Sequence, residues 1–420
     1  MNVVIILPTY NEKENIEKII PVLEDDILPR IKNHKMFILV ADDNSPDGTK
    51  EAVQKLVAKY KNIDISSGIK QGLGAAYVRA MDYAIEKMNA DVMFEMDADL
   101  QHDPKKIPEF LKKIDEGCDM VIGNRYSDGG SIPQNWPIQR KAFSIVANII
   151  IRLIFMRFAI HDWTGGYRAL KKEVFLKEKE ELTQFRGYTF QVSFLHKTVR
   201  DGFKIGEVPF HFSDRTLGNS KIVPMEYIVE LLSYVVIARI IELKRVIKFL
   251  VVGGTGFILQ LLGQEGAIQL GAGLALAYLF YTVVGFIQDS VSVDAHQLIA
   301  LSQGMAAGIG AEFAILSNFL CNNFWTFKDT KKMKESSPFV IRLLKFNTTS
   351  LVSIFLQAFA VWLGIRLLGE YTVLLNFTLP TRILVLFPTI IFLIIPLNYF
   401  IYNKIIWKTQ YLKNAKTSQK

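Results

Sequence analysis

The sequence predicts an α/β domain built on a parallel sheet, followed by an all-α transmembrane domain. Two observations predict this organisation. Short apolar runs alternate with segments of helical periodicity in the first part of the chain. Half of the 420 residues are hydrophobic, with long apolar segments after Lys248, which is too apolar for a purely soluble protein. We expect the α/β domain at 1–225, an interface helix at 226–247 and the transmembrane domain at 248–420.

Four short apolar runs have the composition of buried strands: Val3–Leu7, Phe37–Ala41, Val92–Met96 and Met120–Gly123. The first run is broken by Pro8 and has no basic leader, which favours a strand over a secretory signal. Segments of helical periodicity separate these runs, at Asn15–Leu23, Thr49–Tyr60, Gly74–Met88 and Pro104–Ile114. Strands that alternate with helices are typical of a parallel sheet, in which ligands bind at the carboxyl ends of the strands.

The loops after these strands carry most of the polar side chains. They read PTYNE (8–12), DDNSPDGT (42–49), DADLQH (97–102) and NRYSDGG (124–130). The first loop contains no glycine, which argues against the phosphate turn of a dinucleotide oxidoreductase. Asp97 and Asp99 are hard oxygen ligands suited to Mg²⁺ or Mn²⁺, ions that complete their shell with substrate phosphates. An aspartyl phosphatase nucleophile and a carboxylate cap on the next helix are the alternatives.

Charge and cysteine content narrow the class of protein. The formal net charge is +8, but no dense basic tract with interleaved aromatic residues appears, which argues against a nucleic-acid partner. Cys118 and Cys321 lie far apart and cannot form a disulfide framework. The charge therefore favours anionic lipid or phosphorylated substrates.

In their order and spacing, these loops resemble those of the dolichyl-phosphate mannose synthases, polyprenyl-phosphate glycosyltransferases with a GT-A (Rossmann-like) fold. Further matching motifs are GNRY, DWTGGYRAL (162–170), GYTFQ (187–191) and GEVPFHFSDRTLGNSK (206–221). The resemblance covers roughly the first 240 residues. PTYNE and DADLQ are shared by many inverting GT-A enzymes, whereas GEVPF followed by DR and SK is more specific to the polyprenyl-phosphate mannosyl branch. Asn219 departs from the family, which usually has an acidic residue there.

The resemblance implies a set of site residues. Those expected to hold the guanosine of GDP-mannose are Pro8, Tyr10, Glu12, Ala41 and Asp43. Those expected at the ribose, the pyrophosphate and the metal are Asp97, Ala98, Asp99 and Gln101, with Asp97, Asp99 and Gln101 as ligands of Mg²⁺ or Mn²⁺. The cations expected around the reacting phosphates are Arg125, Arg215 and Lys221. The lipid phosphate is expected at Arg125, Arg140 and Ser144, and the catalytic set is Asp99, Arg125, Arg215 and Lys221.

The chemistry of the acceptor agrees with such a site. A phosphate monoester has a second pKa of about 6, so it is largely ionised and nucleophilic near pH 7 and needs no general base. The site must instead bring two anions together, a task suited to arginine and lysine. We therefore interpret His161 and Asp162, which resemble an acid/base pair, as structural residues.

Two segments combine basic residues with long apolar runs and are predicted to lie at the membrane interface. They are Ile138–Ile160 and Tyr227–Lys248, for which two core helices are the alternative. In the first segment Arg140 and Ser144 are four residues apart and share one helical face. A lipid phosphate could be bound there.

Beyond Lys248 the sequence predicts membrane crossings. The 79 residues from Phe249 to Phe327 contain no lysine or arginine, and basic residues bracket them. The positive-inside rule then places both ends in the cytoplasm and requires an even number of crossings. We expect two two-helix units at about 248–328 and 345–408, with Leu274–Ile287 as an interfacial or re-entrant segment.

The two units resemble each other in sequence. KFLVVGGTGFILQ (248–260) parallels KFNTTSLVSIFLQ (345–357), and NFLCNNFWTFK (318–328) parallels NYFIYNKIIWK (398–408). This half also resembles the four-helix membrane domain that accompanies lipid-linked glucose transfer in bacteria and is fused to some archaeal mannosyl synthases. Glu265 and Glu312 lie in its apolar segments, where a carboxylate indicates either function or a buried bridge between helices.

The predicted function is the metal-dependent, inverting transfer of mannose from GDP-mannose to dolichyl or another polyprenyl phosphate on the cytoplasmic membrane face. Two alternatives stay open. One is the same chemistry with UDP-glucose and a polyprenyl phosphate. The other is a lipid flippase with a non-catalytic front domain.

Overall fold

The protein was analysed as a computed structural model that describes residues 1–182, 187–213, 225–287, 295–328, 338–368, 371–374, 377–380, 384–385 and 388–407. The chain divides into two compact units, Met1–Ile240 and Ile241–Lys420. The first unit is an α/β domain, and the second is predominantly helical. The predicted boundaries after residues 225 and 247 stay predictions.

A seven-stranded sheet forms the centre of the first unit. Its strands are β1 (Asn2–Thr9), β2 (Lys35–Asp42), β3 (Ile63–Ser67), β4 (Val92–Glu95), β5 (Met120–Asn124), β6 (Arg168–Lys171) and β7 (Ile205–Pro209). Their order is β3-β2-β1-β4-β6-β5-β7. The four strands predicted from the apolar runs are present, and three further strands join them.

The four predicted strands run parallel, as expected, but the sheet as a whole is mixed because of β6, a strand that was not predicted. β6 pairs antiparallel with both β4 and β5, whereas the other pairs are parallel. The reason is topological: the chain leaves β5 at the carboxyl edge of the sheet and re-enters as β6 from that same edge. The segment before β6, Asp162–Gly166, therefore lies beside the end of β4.

Helices cover both faces of this sheet. They are α1 (Lys13–Pro21), α2 (Thr49–Lys59), α3 (Leu73–Met88), α4 (Ile107–Asp115), α5 (Ile138–Phe155), α6 (Lys172–Leu182) and α7 (Gly187–Arg200). Shorter 3₁₀ or π turns lie at Val22–Ile27, Leu28–Arg30 and Pro104–Lys106. In β1, Val3, Ile5 and Leu7 join one hydrophobic cluster while Val4 and Ile6 join the other, so the strand is buried on both sides.

The two predicted interface helices differ from their expected bounds. α5 ends at Phe155 rather than at residue 160, because Met156 adopts a left-handed conformation (φ 52) that closes the helix. The segment predicted as a separate helix at 226–247 is the first half of one helix, α8 (Met225–Gln269).

The second unit contains the remaining helices. They are α9 (Ala272–Ile287), α10 (Ala295–Cys321), α11 (Phe339–Leu368) and α12 (Ile395–Ile401), with π turns at Asn322–Thr326, Thr389–Ile394 and Tyr402–Ile406. A two-stranded hairpin, β8 (Tyr371–Leu374) and β9 (Phe377–Pro380), was not predicted. Within the second two-helix unit the sequence predicts spans around Phe346–Leu368 and Arg382–Ile401, and the start of the latter, at Arg382, lies outside the described residues.

Four helical segments in the described part of the chain are long and apolar enough to cross a membrane. They are Tyr227–Gln269, Leu301–Thr326, Phe339–Gln357 and Thr389–Ile406, and Ala272–Val283 is a shorter apolar helix. This agrees with the expectation of four crossings and one short apolar segment. Glu265 accepts a hydrogen bond from Gln269 of its own helix (3.0 Å), so this contact does not bridge two helices. Glu312 lines an apolar cavity of about 600 Å³.

Positions that parallel each other in the two halves of the second unit have equivalent neighbours. Phe327 and Trp407, the next-to-last residues of the corresponding segments, stack on each other with ring centroids 4.5 Å apart. Ser353 donates a hydrogen bond to Asn398 Oδ1 (2.9 Å). Gly256 and Asn318 stand at the positions that correspond to Ser353 and Asn398, and a Cβ added to Gly256 would overlap the Asn318 amide. The sequence repeat is therefore also a repeat of contacts.

Candidate active site

A cavity of about 440 Å³ opens at the carboxyl edge of the sheet, which we call the strand-end cavity. The ends of β1, β2 and β4, the Asp162–Gly166 segment and α7 contribute its walls. Seven residues of the predicted donor site line it: Pro8, Tyr10, Glu12, Asp43, Asp97, Ala98 and Asp99. The structure thus brings together side chains that are up to 91 positions apart in the sequence.

The loops that form this cavity have strained backbones. Asn11, Asn44 and Leu100 have positive φ angles of 61, 54 and 60 degrees, one in each of the first three strand-end loops that were singled out in the sequence. Asparagine tolerates this left-handed region, but leucine does so rarely. Such strain persists only where the surroundings fix it and often marks functional loops.

Buried neighbours fix the turn that contains Leu100. The Gln101 backbone N–H donates to Asp99 Oδ1 (3.1 Å), and the Asp97 backbone N–H donates to His102 Nδ1 (3.0 Å). His102 is 2% exposed and stacks on Tyr167 with ring centroids 4.8 Å apart. Burial lowers the pKa of His102 to about 4, so its imidazole is neutral near pH 7 and can accept this hydrogen bond.

The carboxylates of Asp97 and Asp99 fit a divalent cation whose other ligands come from substrate. Both residues line the same cavity, and Asp99 is 4% exposed. Within the described residues, no group of three or more histidine, cysteine and acidic side chains could hold a metal. A pair of carboxylates matches Mg²⁺ or Mn²⁺, which retain positions for water and phosphate oxygens. The helix cap considered as an alternative is provided by Asp103, which accepts from the Lys105 N–H (3.0 Å).

Two predicted donor residues do not line the strand-end cavity, and a third, Asp43, lines it but is paired within the protein. Gln101 does not line the strand-end cavity, and its side-chain amide donates to the Ser213 carbonyl (3.1 Å). Ala41 is fully buried in β2, and Asp43 forms an ion pair with Arg79 (2.9 Å). Their predicted ligand contacts stay predictions.

Arg215 and Lys221, both predicted to surround the reacting phosphates, lie outside the described residues, as does Asn219. Gln101 and Ser213 also exchange a main-chain hydrogen bond, from the Ser213 N–H to the Gln101 carbonyl (3.2 Å). The DADLQH loop is therefore joined to the chain that leads directly into the segment with Arg215 and Lys221.

A second, smaller cavity of about 50 Å³, which we call the helix cavity, lies between α5 and the first turns of α8. Arg125, Arg140 and Ser144 line it together, as expected for the three residues predicted to bind the lipid phosphate. The Arg140 guanidinium lies 3.7 Å from the ring centroid of Trp136, a cation–π contact that holds it at the cavity wall.

Arg125 is held by a two-pronged ion pair with Asp162. Arg125 Nε lies 2.7 Å from Asp162 Oδ2, and Nη2 lies 2.8 Å from Oδ1, with both side chains buried. Asp162 also accepts from the Gly165 N–H (3.0 Å), while His161 bonds to Glu207 (2.7 Å). These contacts are consistent with the structural roles predicted for His161 and Asp162.

Thr164 lines both cavities and separates them. Its hydroxyl accepts from Arg125 Nη2 (2.9 Å) and from Asn148 Nδ2 of α5 (3.2 Å). Asn148 also accepts from the Trp163 N–H (2.7 Å), so α5 is bonded directly to the Asp162–Gly166 segment.

Eight lining residues were not assigned from the sequence: Thr9, Lys70, Gly72, Leu73, Ala76, Thr164, Gly166 and Gln191. Two motifs noted in the sequence, DWTGGYRAL and GYTFQ, contain Thr164, Gly166 and Gln191. The motifs therefore marked this part of the chain, although these residue types alone did not indicate a role in the site. Lys70 had no such signal; its ammonium lies 3.2 Å from the ring centroid of Tyr10.

Two family models match this chain. Residues 4–178 match glycosyl transferase family 2, and residues 277–407 match the GtrA/DPMS transmembrane domain. The first match covers the strand-end cavity up to α6, and the second covers most of the helical unit. With its four apolar helices, the chain is an integral membrane protein.

Curated relatives match over most of their lengths. The dolichol-phosphate mannosyltransferase of Pyrococcus furiosus is 32% identical over 381 residues, which cover 90% of this chain and 94% of that protein. The polyprenol monophosphomannose synthase of Mycolicibacterium smegmatis is 37% identical over 219 residues, which cover 52% of this chain and 79% of that protein.

Solved structures match the front part of the chain more distantly. Glucosyl-3-phosphoglycerate synthase from Mycobacterium tuberculosis, in complex with Mn²⁺, UDP and glucosyl-3-phosphoglycerate, is 19% identical with a TM-score of 0.39. The match covers 57% of this chain and 79% of that one. A likeness of this size carries no argument about ligands.

Proposed function

The chain belongs to the dolichol-phosphate mannosyltransferase family, a membrane branch of glycosyl transferase family 2, and from this premise we propose its donor, metal, stereochemistry and membrane face. It is a glycosyltransferase that makes a polyprenyl-phosphate mannose. The donor is GDP-mannose, the acceptor is dolichyl or another polyprenyl phosphate, and the reaction inverts the anomeric centre on the cytoplasmic face. The observation that carries the proposal is the pair of cavities that meet at Thr164.

The strand-end cavity suits the nucleotide sugar. Pro8, Tyr10 and Glu12 lie at one end, on the β1 loop, where a nucleoside would bind. Asp97 and Asp99 lie at the end of β4, where the diphosphate would follow. A divalent ion bound there would neutralise the diphosphate and stabilise it as a leaving group.

The helix cavity suits the phosphate of the lipid. Arg125 and Arg140 contribute positive charge, and Ser144 contributes a hydroxyl. The outer face of α5 is apolar and exposed: Ile145, Val146, Ile149 and Leu153 are 41%, 50%, 46% and 57% exposed. An exposed apolar face beside a cationic cavity fits a helix that lies in the bilayer interface, where the lipid phosphate is found.

The reaction needs two anions held on opposite sides of the sugar. One oxygen of the lipid phosphate forms a bond to the anomeric carbon as the bond from that carbon to the GDP oxygen breaks. The acceptor phosphate is already ionised near pH 7, so this step requires no general base. Attack from the helix cavity on a donor in the strand-end cavity gives a single displacement and hence inversion.

The cytoplasmic location is supported by the distribution of basic residues. Lys244, Arg245 and Lys248 precede the apolar half of α8, and Lys328 and Lys331 follow the next span. Lysine and arginine near the ends of spans favour the cytoplasmic side.

Transfer assays with the full-length protein in detergent or bilayer discs test the proposal. The protein receives dolichyl phosphate and Mn²⁺, with radiolabelled GDP-mannose or UDP-glucose in parallel. We expect labelled lipid from GDP-mannose, loss of transfer after chelation by EDTA, recovery with added Mn²⁺ or Mg²⁺, and a product of inverted configuration.

Three outcomes would contradict the proposal. Transfer from UDP-glucose alone would overturn the choice of donor. Full transfer in excess EDTA would remove the metal. Transfer from neither donor would favour the flippase alternative, which a lipid-translocation assay in proteoliposomes measures directly.

A further inference from the structure

Gln191 occupies a distinct place in the strand-end cavity. It is the fifth residue of α7 and lines this cavity together with Gly166 and with Thr164, the residue that also lines the helix cavity. Only 3% of its surface is exposed. A polar side chain this deeply buried normally has all its hydrogen bonds made within the protein.

The Gln191 amide lacks such bonds. Neither Nε2 nor Oε1 has a partner of good hydrogen-bond geometry. Glu95, buried beneath it, lies near enough for the amide to lower the pKa of that carboxyl, but burial outweighs this effect and raises the pKa to about 7. The contact is not a well-formed hydrogen bond, since the Glu95 oxygens lack one as well. A buried amide without hydrogen bonds lowers the stability of the fold unless a ligand supplies the missing hydrogen bonds.

The backbone around the amide is firmly held. The buried guanidinium of Arg168 donates to the Gln191 carbonyl (2.8 Å) and to the Gly165 carbonyl (3.0 Å), and so ties α7 to the Asp162–Gly166 segment. A Cβ at Gly166 would stand 3.5 Å from Gln191 Nε2, so glycine there leaves space on the cavity side of the amide. The backbone that carries the amide is therefore held in place, and the amide lies beside a residue without a side chain.

The order of groups along the cavity indicates which part of the donor reaches Gln191. If the nucleoside binds at the β1 loop and the diphosphate at Asp97 and Asp99, the hexose extends from the diphosphate toward the helix cavity. The cavity residues in that direction are Thr164, Gly166 and Gln191. A hexose presents hydroxyl groups, which both donate and accept hydrogen bonds and so can pair with the nitrogen or the oxygen of an amide.

We propose that Gln191 recognises the transferred sugar by a hydrogen bond between its side-chain amide and a hydroxyl of the donor hexose, and so determines which sugar is transferred. The inference rests on the proposed function, since it assumes that the nucleotide sugar binds in the strand-end cavity. Sites built to hydrogen-bond a substrate hydroxyl reject analogues that lack it, because the buried polar group is then left without a partner.

The test compares wild type with Gln191→Met, which keeps the side-chain length and removes the amide. Each full-length protein is assayed with GDP-mannose and with analogues that lack one hexose hydroxyl. Gln54→Met, at an exposed position of α2, controls for the substitution itself. We expect wild type to discriminate against one deoxy analogue by about tenfold to a hundredfold in kcat/KM.

Gln191→Met is expected to lower kcat/KM for GDP-mannose by a similar factor. For the deoxy analogue that wild type discriminates against, kcat/KM is expected to be the same in the variant and in wild type. Binding of GDP alone, measured by calorimetry, is expected to be unchanged. The inference is overturned if the variant keeps full discrimination among the analogues, or if it loses GDP affinity as much as it loses turnover. The proposed function fails separately, if wild type neither binds GDP-mannose nor transfers from it.

Discussion

At the scale of single residues, the turn from Asp97 to His102 concentrates the features expected of a reactive site. Two carboxylates face the strand-end cavity, Leu100 adopts a left-handed backbone, and a neutral buried His102 accepts the Asp97 N–H. Leu100 and His102 also pack against one hydrophobic cluster, whereas the two carboxylates line the cavity. The turn stores backbone strain while it fixes the separation of the two carboxylates.

Asp99→Asn tests whether this turn serves chemistry or only shape. Asparagine can still accept the Gln101 N–H, so we expect the melting temperature to stay within a few degrees of wild type. Loss of the charge removes a hard ligand, so transfer is expected to fall by about a hundredfold or more. Labelled-lipid synthesis and thermal unfolding of the full-length protein measure both effects.

Asp103→Asn is the matched control for Asp99→Asn. Asp103 caps the turn at Pro104–Lys106 and does not line the strand-end cavity. Its replacement is expected to leave transfer within about twofold, since asparagine is also a good helix cap. Equal loss of transfer in both variants would mean that the negative charge near the turn matters only for folding.

Residue type decided which site residues could be predicted. Asp97, Asp99 and Arg125 carry charge at strand ends, so their chemistry is visible in the sequence. Thr164 and Gln191 are neutral, and their importance comes from burial and from the cavity wall they share, which depends on how β6 and α7 return to the sheet edge. No local pattern encodes that return.

At the scale of elements, α6 and α7 meet through a buried carboxyl. Glu178 is 1% exposed and lies 3.7 Å from Arg200 Nη2, with Asp201 beside it. Burial is the largest cause that raises the pKa of Glu178 to about 7, with Asp201 adding to it. Between about pH 4.5 and 7 the native protein retains a proton that the unfolded chain releases, so this group lowers stability as pH rises.

Glu178→Gln is expected to remove this pH dependence. The variant should match wild type near pH 5 and be more stable by about 2 kcal/mol at pH 8, where wild type must bury a charge. Thermal unfolding of the two full-length proteins across this range measures the difference. Glu180→Gln, on the exposed side of α6, is the control, and its stability should depend on pH in the same way as that of wild type. If the difference in stability between Glu178→Gln and wild type were the same at all pH values, the raised pKa of Glu178 would be contradicted.

The outer face of α5 is the element through which the enzyme is expected to meet lipid. Leu153→Glu places a charge on that exposed face, so the fold should be retained while membrane binding weakens. We expect KM for the lipid acceptor to rise about tenfold, with KM for the nucleotide sugar unchanged. Steady-state kinetics in vesicles provides the measurement.

Leu176→Glu is the matched control for Leu153→Glu. Leu176 is 50% exposed on α6, which is not predicted to contact the membrane. Equal effects of the two substitutions on the lipid KM would show that α5 has no special role at the interface.

Sequence periodicity predicted long elements better than short ones. The helices from α1 to α4 appear within a few residues of their predicted bounds, because each has a clear apolar stripe. The strand β6 was missed, since RALK has only two apolar residues and its pairing with β4 and β5 is decided by the tertiary fold. A strand so short carries almost no local signal.

At the scale of the whole molecule, the helical unit depends on close approach between helices. A Cβ on Gly310 of α10 would overlap the Gln260 carbonyl of α8, and the Gly310 Cα lies 3.1 Å from the ideal Cβ position of Gly263. Small residues at such crossings allow backbones to pack directly, which is a main source of stability between membrane helices.

Gly310→Ala is expected to destabilise this crossing by about 2 kcal/mol, because the added methyl group meets main-chain atoms that cannot move aside. Gly308→Ala, two residues away with nothing within 4 Å of its Cβ position, is the matched control and should be neutral or slightly stabilising. Thermal unfolding in detergent compares the two. Equal melting temperatures would mean that α8 and α10 do not pack in this way.

The number of apolar helices was predictable from the sequence, whereas their packing was not. The basic residues that bracket the apolar half implied an even number of crossings, and the described chain contains four helices able to span a bilayer. The crossing at Gly310 could not be read from the sequence, because Gly308 and Gly310 are the same residue type in the same helix and differ only in what faces them.

The stacked rings of Phe327 and Trp407 come from corresponding places in two halves that share a sequence pattern. Each half therefore supplies one ring of the stack, and both rings are fully buried. The stack exists only while the two halves are packed together, so a change that separates the halves removes this aromatic contact.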